Sequence, residues 1–120
     1  MKVRNIVAMA QVASVSRSID FYAKLGFDVG NTFAPASEKE PTWAWLQSDR
    51  GELMIARAEG RTTAERSVLF YLYCDDVAQA RESLQASGIV CGEITFPFYA
   101  PRGEFEIRDP DGYTLMVTHT

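Results

Sequence analysis

Three features of the sequence predict an α+β fold in which one strand–helix–strand–strand–strand module is used twice. A helix-capping residue, a helical run and a stopping glycine occur at Ser14 and Gly26 and again at Asp76 and Gly88; 76 less 14 and 88 less 26 both give 62 residues. Val7 and Leu69, and Val12 and Cys74, stand at the same offset in the stretches before the two helices. A repeat at a fixed offset constrains architecture before any single element does. The third feature is the last stretch, residues 105–117, which reads as strand, tight turn, strand. Phe105, Ile107, Leu115 and Val117 alternate with other residues, the period of a strand with one face in a core. Between them, in Asp109-Pro110-Asp111-Gly112, proline fixes φ, aspartate can bond its own backbone and glycine accepts positive φ.

In chain order, residues 3–12 alternate loosely and form the first strand. Ser14 caps a helix whose apolar residues, Val15, Ile19, Tyr22 and Leu25, recur at helical spacing until Gly26. Phe27-Asp28-Val29 resumes an extended chain, residues 34–41 form a loop, and residues 42–47 and 52–58 pair about Asp49-Arg50-Gly51. Residues 58–66 are polar and read as a linker. The pattern then restarts. Residues 67–74 form a strand, Asp76 caps a helix with Val77, Ala80 and Leu84 on one face, Gly88 stops it, and the chain from Ile89 is extended before the closing hairpin.

A chain of 120 residues with 47% hydrophobic content suffices for one domain with a real core, expected over 1–120 as two repeats near 1–60 and 65–120. Net charge is −4 with no basic stripe, so nucleic acid is not an expected partner. No apolar run reaches bilayer length and the first residues open straight into a strand, so neither a membrane span nor a signal peptide is expected. Cys74 and Cys91 follow no metal spacing and read as reduced thiols of a cytoplasmic protein. The lone histidine, His119, reads as a surface or packing residue, and Asp75-Asp76 are accounted for by helix capping and the helix dipole.

These residues carry a resemblance. A first strand, then Ser18-Ile19-Asp20-Phe21-Tyr22-Ala23-Lys24-Leu25-Gly26-Phe27, later Asp75-Asp76-Val77 before a helix and Asp109-Pro110-Asp111-Gly112 near the end resemble the vicinal oxygen chelate superfamily. That group holds glyoxalase I, extradiol dioxygenases, fosfomycin-modifying enzymes and the bleomycin resistance proteins. The resemblance covers essentially the whole chain. It implies two βαβββ modules forming an incomplete barrel around a cleft, and a homodimer in which the cleft is completed across the interface. It also implies, for the family's enzymes, a divalent metal held by one side chain on the first and fourth strands of each module. Carried over residue by residue, those positions fall on Val7, Leu69 and Met116, with Glu52 the one remaining carboxylate. Valine, leucine and methionine offer none of the oxygen or nitrogen donors a hard or borderline cation needs. No metal and no other cofactor is expected.

Strand parity and the family register place Val7, Met9, Gln11, Trp43, Trp45, Glu52, Met54, Leu69, Tyr71, Tyr73, Glu104, Glu106, Arg108 and Met116 on the side facing the cleft, with Val68, Phe70, Leu72 and Cys74 in the core. Phe98 and Tyr99, in the apolar stretch 96–103, are candidates for a lid. Aromatic faces attract planar rings and cations, and carboxylates add Coulomb attraction. The alternative role of these aromatics is to fill the groove or a subunit interface, where they are also enriched. The expected function is sequestration, without a metal, of a planar aromatic, neutral or cationic antibiotic (a bleomycin-type compound is the family example) or related metabolite. The alternatives are a metal-dependent lyase, dioxygenase or transferase of the same superfamily, or a small-metabolite sensor or accessory protein.

Overall fold

The structure is a computed structural model that describes residues 1–2, 4–58 and 68–120. The expected linker at 58–66 therefore lies, apart from Ala58, outside the described residues. The chain divides into two compact units, Met1–Thr62 and Thr63–Thr120.

In the first unit, β1 (Ala8–Val12), α1 (Val15–Lys24), β2 (Asp28–Phe33), β3 (Trp43–Ser48) and β4 (Gly51–Arg57) follow one another. The sheet order is β1-β4-β3-β2, with β1 parallel to β4 and the other neighbours antiparallel. Ser14 has extended dihedrals, φ −134 and ψ 114, and its hydroxyl accepts a hydrogen bond from the Arg17 N–H at 3.2 Å. That satisfies a donor the first helical turn leaves open. Gly26, at φ 92, ends the helix in the left-handed region that a Cβ disfavours. Val15, Ser18 and Tyr22 are buried on α1, as are Ala10, Val12, Ala44, Leu46, Leu53 and Ile55 in the sheet, and these two sets form the unit's core. The helical pattern of apolar residues did not anticipate Ser18, which is fully buried between Val15 and Tyr22 while Ile19 and Leu25 are only half-buried.

The second unit contains β5 (Leu69–Cys74), α2 (Val77–Ala86), β6 (Glu104–Arg108) and β7 (Thr114–His119), with sheet order β5-β7-β6. Asp76 repeats the cap, at φ −136 and ψ 105, accepting from the Gln79 N–H at 3.0 Å, and Gly88 repeats the stop at φ 86. The two helices are of equal length and lie at the offset of the sequence repeat.

The extended chain expected from Ile89 differs from that of the first unit. No strand forms over 89–103; a single bridge joins Thr95 to Glu104, and the Gly92 N–H reaches the Glu106 carbonyl at 2.8 Å. Pro97 and Pro101 lack the N–H a ladder needs, and the chain turns twice instead, through Ala100 N–H to Pro97 O and Gly103 N–H to Ala100 O, both at 2.9 Å. A second correction concerns β5. Phe70, Leu72 and Cys74 are half-buried and Val68 is 51% exposed, not core. The reason is topological: β5 is an edge strand, and α2 packs chiefly on β6 and β7, whose Phe105, Ile107, Leu115 and Val117 are buried.

The turn between β6 and β7 is held by Asp109. Its side chain is buried and its Oδ1 accepts from the N–H groups of Asp111 at 2.9 Å and Tyr113 at 2.8 Å. The backbone closes the same turn, Asp109 N–H to Tyr113 O at 3.0 Å and Gly112 N–H to Asp109 O at 3.1 Å, with Gly112 at φ 85. Replacing Asp109 with Ala leaves a buried N–H without its acceptor, so a loss of about 1–3 kcal/mol in unfolding free energy is expected by urea denaturation. Gly103→Ala is a second test. Gly103 sits at φ 99, and a Cβ there meets Ile94 Cγ2 at 2.7 Å, so this variant is expected to melt below the wild type.

Candidate functional site

Each sheet has one face turned to its own helix and one turned away, and the expected binding residues on the strands lie on the faces turned away. Residues opposite one another across a ladder share a face. In the first unit, register aligns Phe33, Trp43, Ala56 and Gln11 in one row across four strands, and Asn31, Trp45, Met54 and Met9 in the next. Gln47 and Glu52 begin a third. Trp43, Trp45 and Met54 are half-buried, whereas Met9 and Phe33 are 54% and 59% exposed. Trp45 Nε1 is shut from solvent and has no hydrogen-bond partner among the described residues.

Sequence parity missed Phe33 and Asn31. The β2–β3 register shifts between Val29 and Asn31, so Val29 opposes Leu46 on the core face while Asn31 opposes Trp45 on the other. The signal for this bulge is Gly30, where a Cβ would meet Gln47 Cδ at 2.9 Å.

In the second unit the rows are Tyr73, Thr118 and Glu104; Tyr71, Met116 and Glu106; and Leu69, Thr114 and Arg108. Tyr71 and Tyr73 stack along β5 with ring centroids 6.4 Å apart and planes 28° apart. Arg108 folds back on Glu106, its Nε 3.1 Å from Oε1. Glu104 differs from its neighbour: it is 4% exposed, its Oε1 accepts from the Tyr99 hydroxyl at 3.0 Å, and its Oε2 is buried without a partner among the described residues. That hydrogen bond and the adjacent negative charge push the Tyr99 phenol above its ordinary pKa. Of the two lid candidates, then, Tyr99 reaches across to the sheet, whereas Phe98 touches Tyr99 edge-on and is 95% exposed.

The two faces are versions of one pattern. Met54 and Met116 occupy the same place in their units, each beside the parallel first strand, opposite Met9 and Tyr71 respectively. Trp43 and Trp45 oppose Ala56 and Met54, while Glu104 and Glu106 oppose Thr118 and Met116. The scaffold therefore puts tryptophans in one unit where it puts glutamates in the other.

The cleft with a volume of about 480 Å³ lies elsewhere in the first unit, near Ser14, Lys39 and Arg57, and no expected binding residue lines it. Across it Arg57 bonds Glu38 at 2.8 Å, which holds the Glu38 carboxyl below the usual carboxylate range. His119 has a structural task, accepting the Arg102 N–H on Nε2 at 3.1 Å. Among the described residues no helix is long and apolar enough to cross a membrane.

The sequence model of the Glyoxalase/Bleomycin resistance protein/Dioxygenase superfamily matches residues 6–117. The chain belongs to that superfamily. No curated protein sequence matches it significantly. Similar solved structures include a bleomycin resistance determinant encoded on the transposon Tn5, 18% identical over 98% of each chain with a TM-score of 0.77. A bleomycin-binding protein complexed with bleomycin is 18% identical over 98% of this chain and 99% of its own, with a TM-score of 0.76. TnmS3, an antibiotic binding protein from Streptomyces sp. CB03234, is 18% identical over 99% and 98%, with a TM-score of 0.77. At these identities the likeness establishes the mixed α+β fold of the superfamily, two small sheets and two helices.

The residues present do not fit the metal that the superfamily's enzymes imply. The register makes Met54, not Glu52, the counterpart of Met116, so the four positions carried over from the enzymes are Val7, Met54, Leu69 and Met116. None offers a carboxylate or imidazole. Glu52 instead accepts from Asn5 Nδ2 at 2.8 Å. Among the described residues no three His, Cys, Asp or Glu side chains converge as a metal site requires.

Partial burial pushes both the Cys74 and Cys91 thiols up, with the charges of Asp75 and Asp76 adding to the effect at Cys74. Both are expected to alkylate with iodoacetamide at neutral pH more slowly than a free peptide thiol, as read by mass spectrometry. A rate equal to the free thiol's contradicts this.

Proposed function

We propose that this superfamily member is a metal-free small-molecule-binding protein that sequesters a planar aromatic, neutral or cationic antibiotic or metabolite. The observation that carries this reading is the face of the first unit's sheet: Phe33, Trp43, Trp45, Met54 and Met9 stand side by side away from α1, with the Trp45 N–H buried and unspent. Flat apolar rings flanked by methionine suit a stacked heteroaromatic, and an unspent donor suits an acceptor atom on it. The Tyr71–Tyr73 stack and the carboxylates of Glu104 and Glu106 supply a second surface, one favourable to positive charge.

Sequestration requires no chemistry: protection follows from mass action if affinity is high enough. Three of the similar solved structures are described as bleomycin resistance or antibiotic-binding proteins, which favours this class of ligand. In this reading the protein acts as a cytoplasmic homodimer, its groove lying at the interface between copies, and Phe98 and Tyr99 border that groove.

Titration of chelator-treated protein with a bleomycin-type glycopeptide is expected to quench or shift tryptophan emission saturably, because both tryptophans lie on the proposed binding face. Trp45→Ala is expected to weaken that binding by about 2 kcal/mol or more. Unchanged affinity with loss of dimer in sedimentation would assign Trp45 to the interface instead.

A further inference from the structure

The second unit contains a buried carboxylate oxygen with no hydrogen-bond partner among the described residues. Glu104 Oε2 lies out of solvent with no hydrogen-bond partner among the described residues, on the sheet face that also carries Tyr71, Tyr73 and Thr118. No ion pair is formed by Glu104 among the described residues. Arg108, at the far end of the same strand, is bonded to Glu106 through both Nε and Nη2 at 3.1 Å, and Arg102 is bonded to His119 and to the Thr120 carbonyl. Among the described residues, the side-chain hydrogen bond to Glu104 comes from the Tyr99 hydroxyl, on the other oxygen.

The position is built rather than incidental. The Glu104 backbone is held on both sides, by β7 through its pairing with Thr118 and by Thr95, whose N–H and C=O each exchange a 2.9 Å bond with it. Gly103, immediately before it, is at φ 99 and is itself buried, and its carbonyl accepts from the Thr118 hydroxyl at 3.5 Å. These bonds fix the backbone, and the Tyr99 hydroxyl on Oε1 ties the carboxylate itself to the sheet face. An unpartnered buried carboxylate oxygen is costly, and a protonated nitrogen is the partner that removes the cost most fully.

From this geometry we propose that Glu104 is the residue that selects cationic ligands: its Oε2 takes an N–H of a protonated amine, amidinium or aminoacridinium-type nitrogen whose ring lies against Tyr73 and Tyr71. This rests on the aromatic-ligand reading above and narrows its ligand class from neutral or cationic to cationic. The tyrosine faces add cation–π attraction to the charge-assisted hydrogen bond. Glu106, with its own arginine, supplies no comparable unspent charge.

The test uses two probes, proflavine, a planar cation at neutral pH, and acridine, its neutral parent ring, titrated into full-length wild-type protein and Glu104→Gln. Wild type is expected to prefer proflavine by about ten-fold or more. Glutamine keeps an acceptor for Tyr99 but not the charge, so the variant is expected to bind the two probes about equally while holding acridine as before. Equal preference in both proteins overturns the assignment of Glu104, whereas acridine binding by neither overturns the aromatic-ligand reading itself. Carbon NMR of glutamate-labelled wild type provides a check that needs no variant binding data. The carboxyl signal of Glu104 is expected to move with proflavine and not with acridine; movement of the Glu106 signal alone overturns the proposal.

Discussion

The carboxylate of Asp109 takes the N–H groups of Asp111 and Tyr113, and the register of the β6–β7 hairpin depends on that pair of hydrogen bonds. A slip of one residue would exchange the faces of the hairpin. Glu104, Glu106 and Arg108 would then enter the core under α2, and Phe105 and Ile107 would be turned out. A side chain buried at a turn is usually a liability; here it is fully used, because Oδ1 serves two donors that would otherwise be stranded as the chain reverses. Tyr113, held by the same carboxylate, packs its ring 5.6 Å from Phe70, which ties the turn to the edge strand.

With register fixed, one scaffold carries two chemistries. Both units run a first strand parallel to the last, with a capped helix between them, and both present a face that the helix does not cover. Because the helix side of each sheet must pack apolar side chains, it tolerates little change. The other side has no such demand from its own helix, so Trp43 and Trp45 in one unit and Glu104 and Glu106 in the other occupy matching ladder positions at no cost to the core. The difference between an aromatic wall and an acidic one is thus made by a few outward residues.

The two glutamates show how neighbouring residues of one type are differentiated by their surroundings. Glu106 is half-exposed and bonded to Arg108, a surface pair of the sort that contributes little to stability. Glu104, two residues earlier on the same face, is buried, and among the described residues its side-chain partner is a phenol. The consequence for Tyr99 is direct: its hydroxyl is best kept protonated, since deprotonation would set a second negative charge against the first.

Much of this architecture was legible in the sequence. The 62-residue repeat, the caps at Ser14 and Asp76, the stops at Gly26 and Gly88 and the Asp-Pro-Asp-Gly turn are local signals. Each depends on residues within one turn or one strand of each other. Parity then placed Trp43, Trp45, Tyr71, Tyr73, Glu104, Glu106, Arg108 and Met116 on the outward faces, since alternation is a property of the strand alone. What needed tertiary structure was everything set by a partner strand or by packing. The bulge at Gly30, which turns Asn31 and Phe33 to the tryptophan face, is visible only against β3. The matching of Met54, rather than Glu52, with Met116 follows from inter-strand register. The exposure of Val68 follows from an edge that α2 leaves largely uncovered. The isolation of Glu104 Oε2 belongs to the same class, because whether a buried carboxylate has a partner depends on which distant side chains reach it, and no local pattern in the chain encodes that distance.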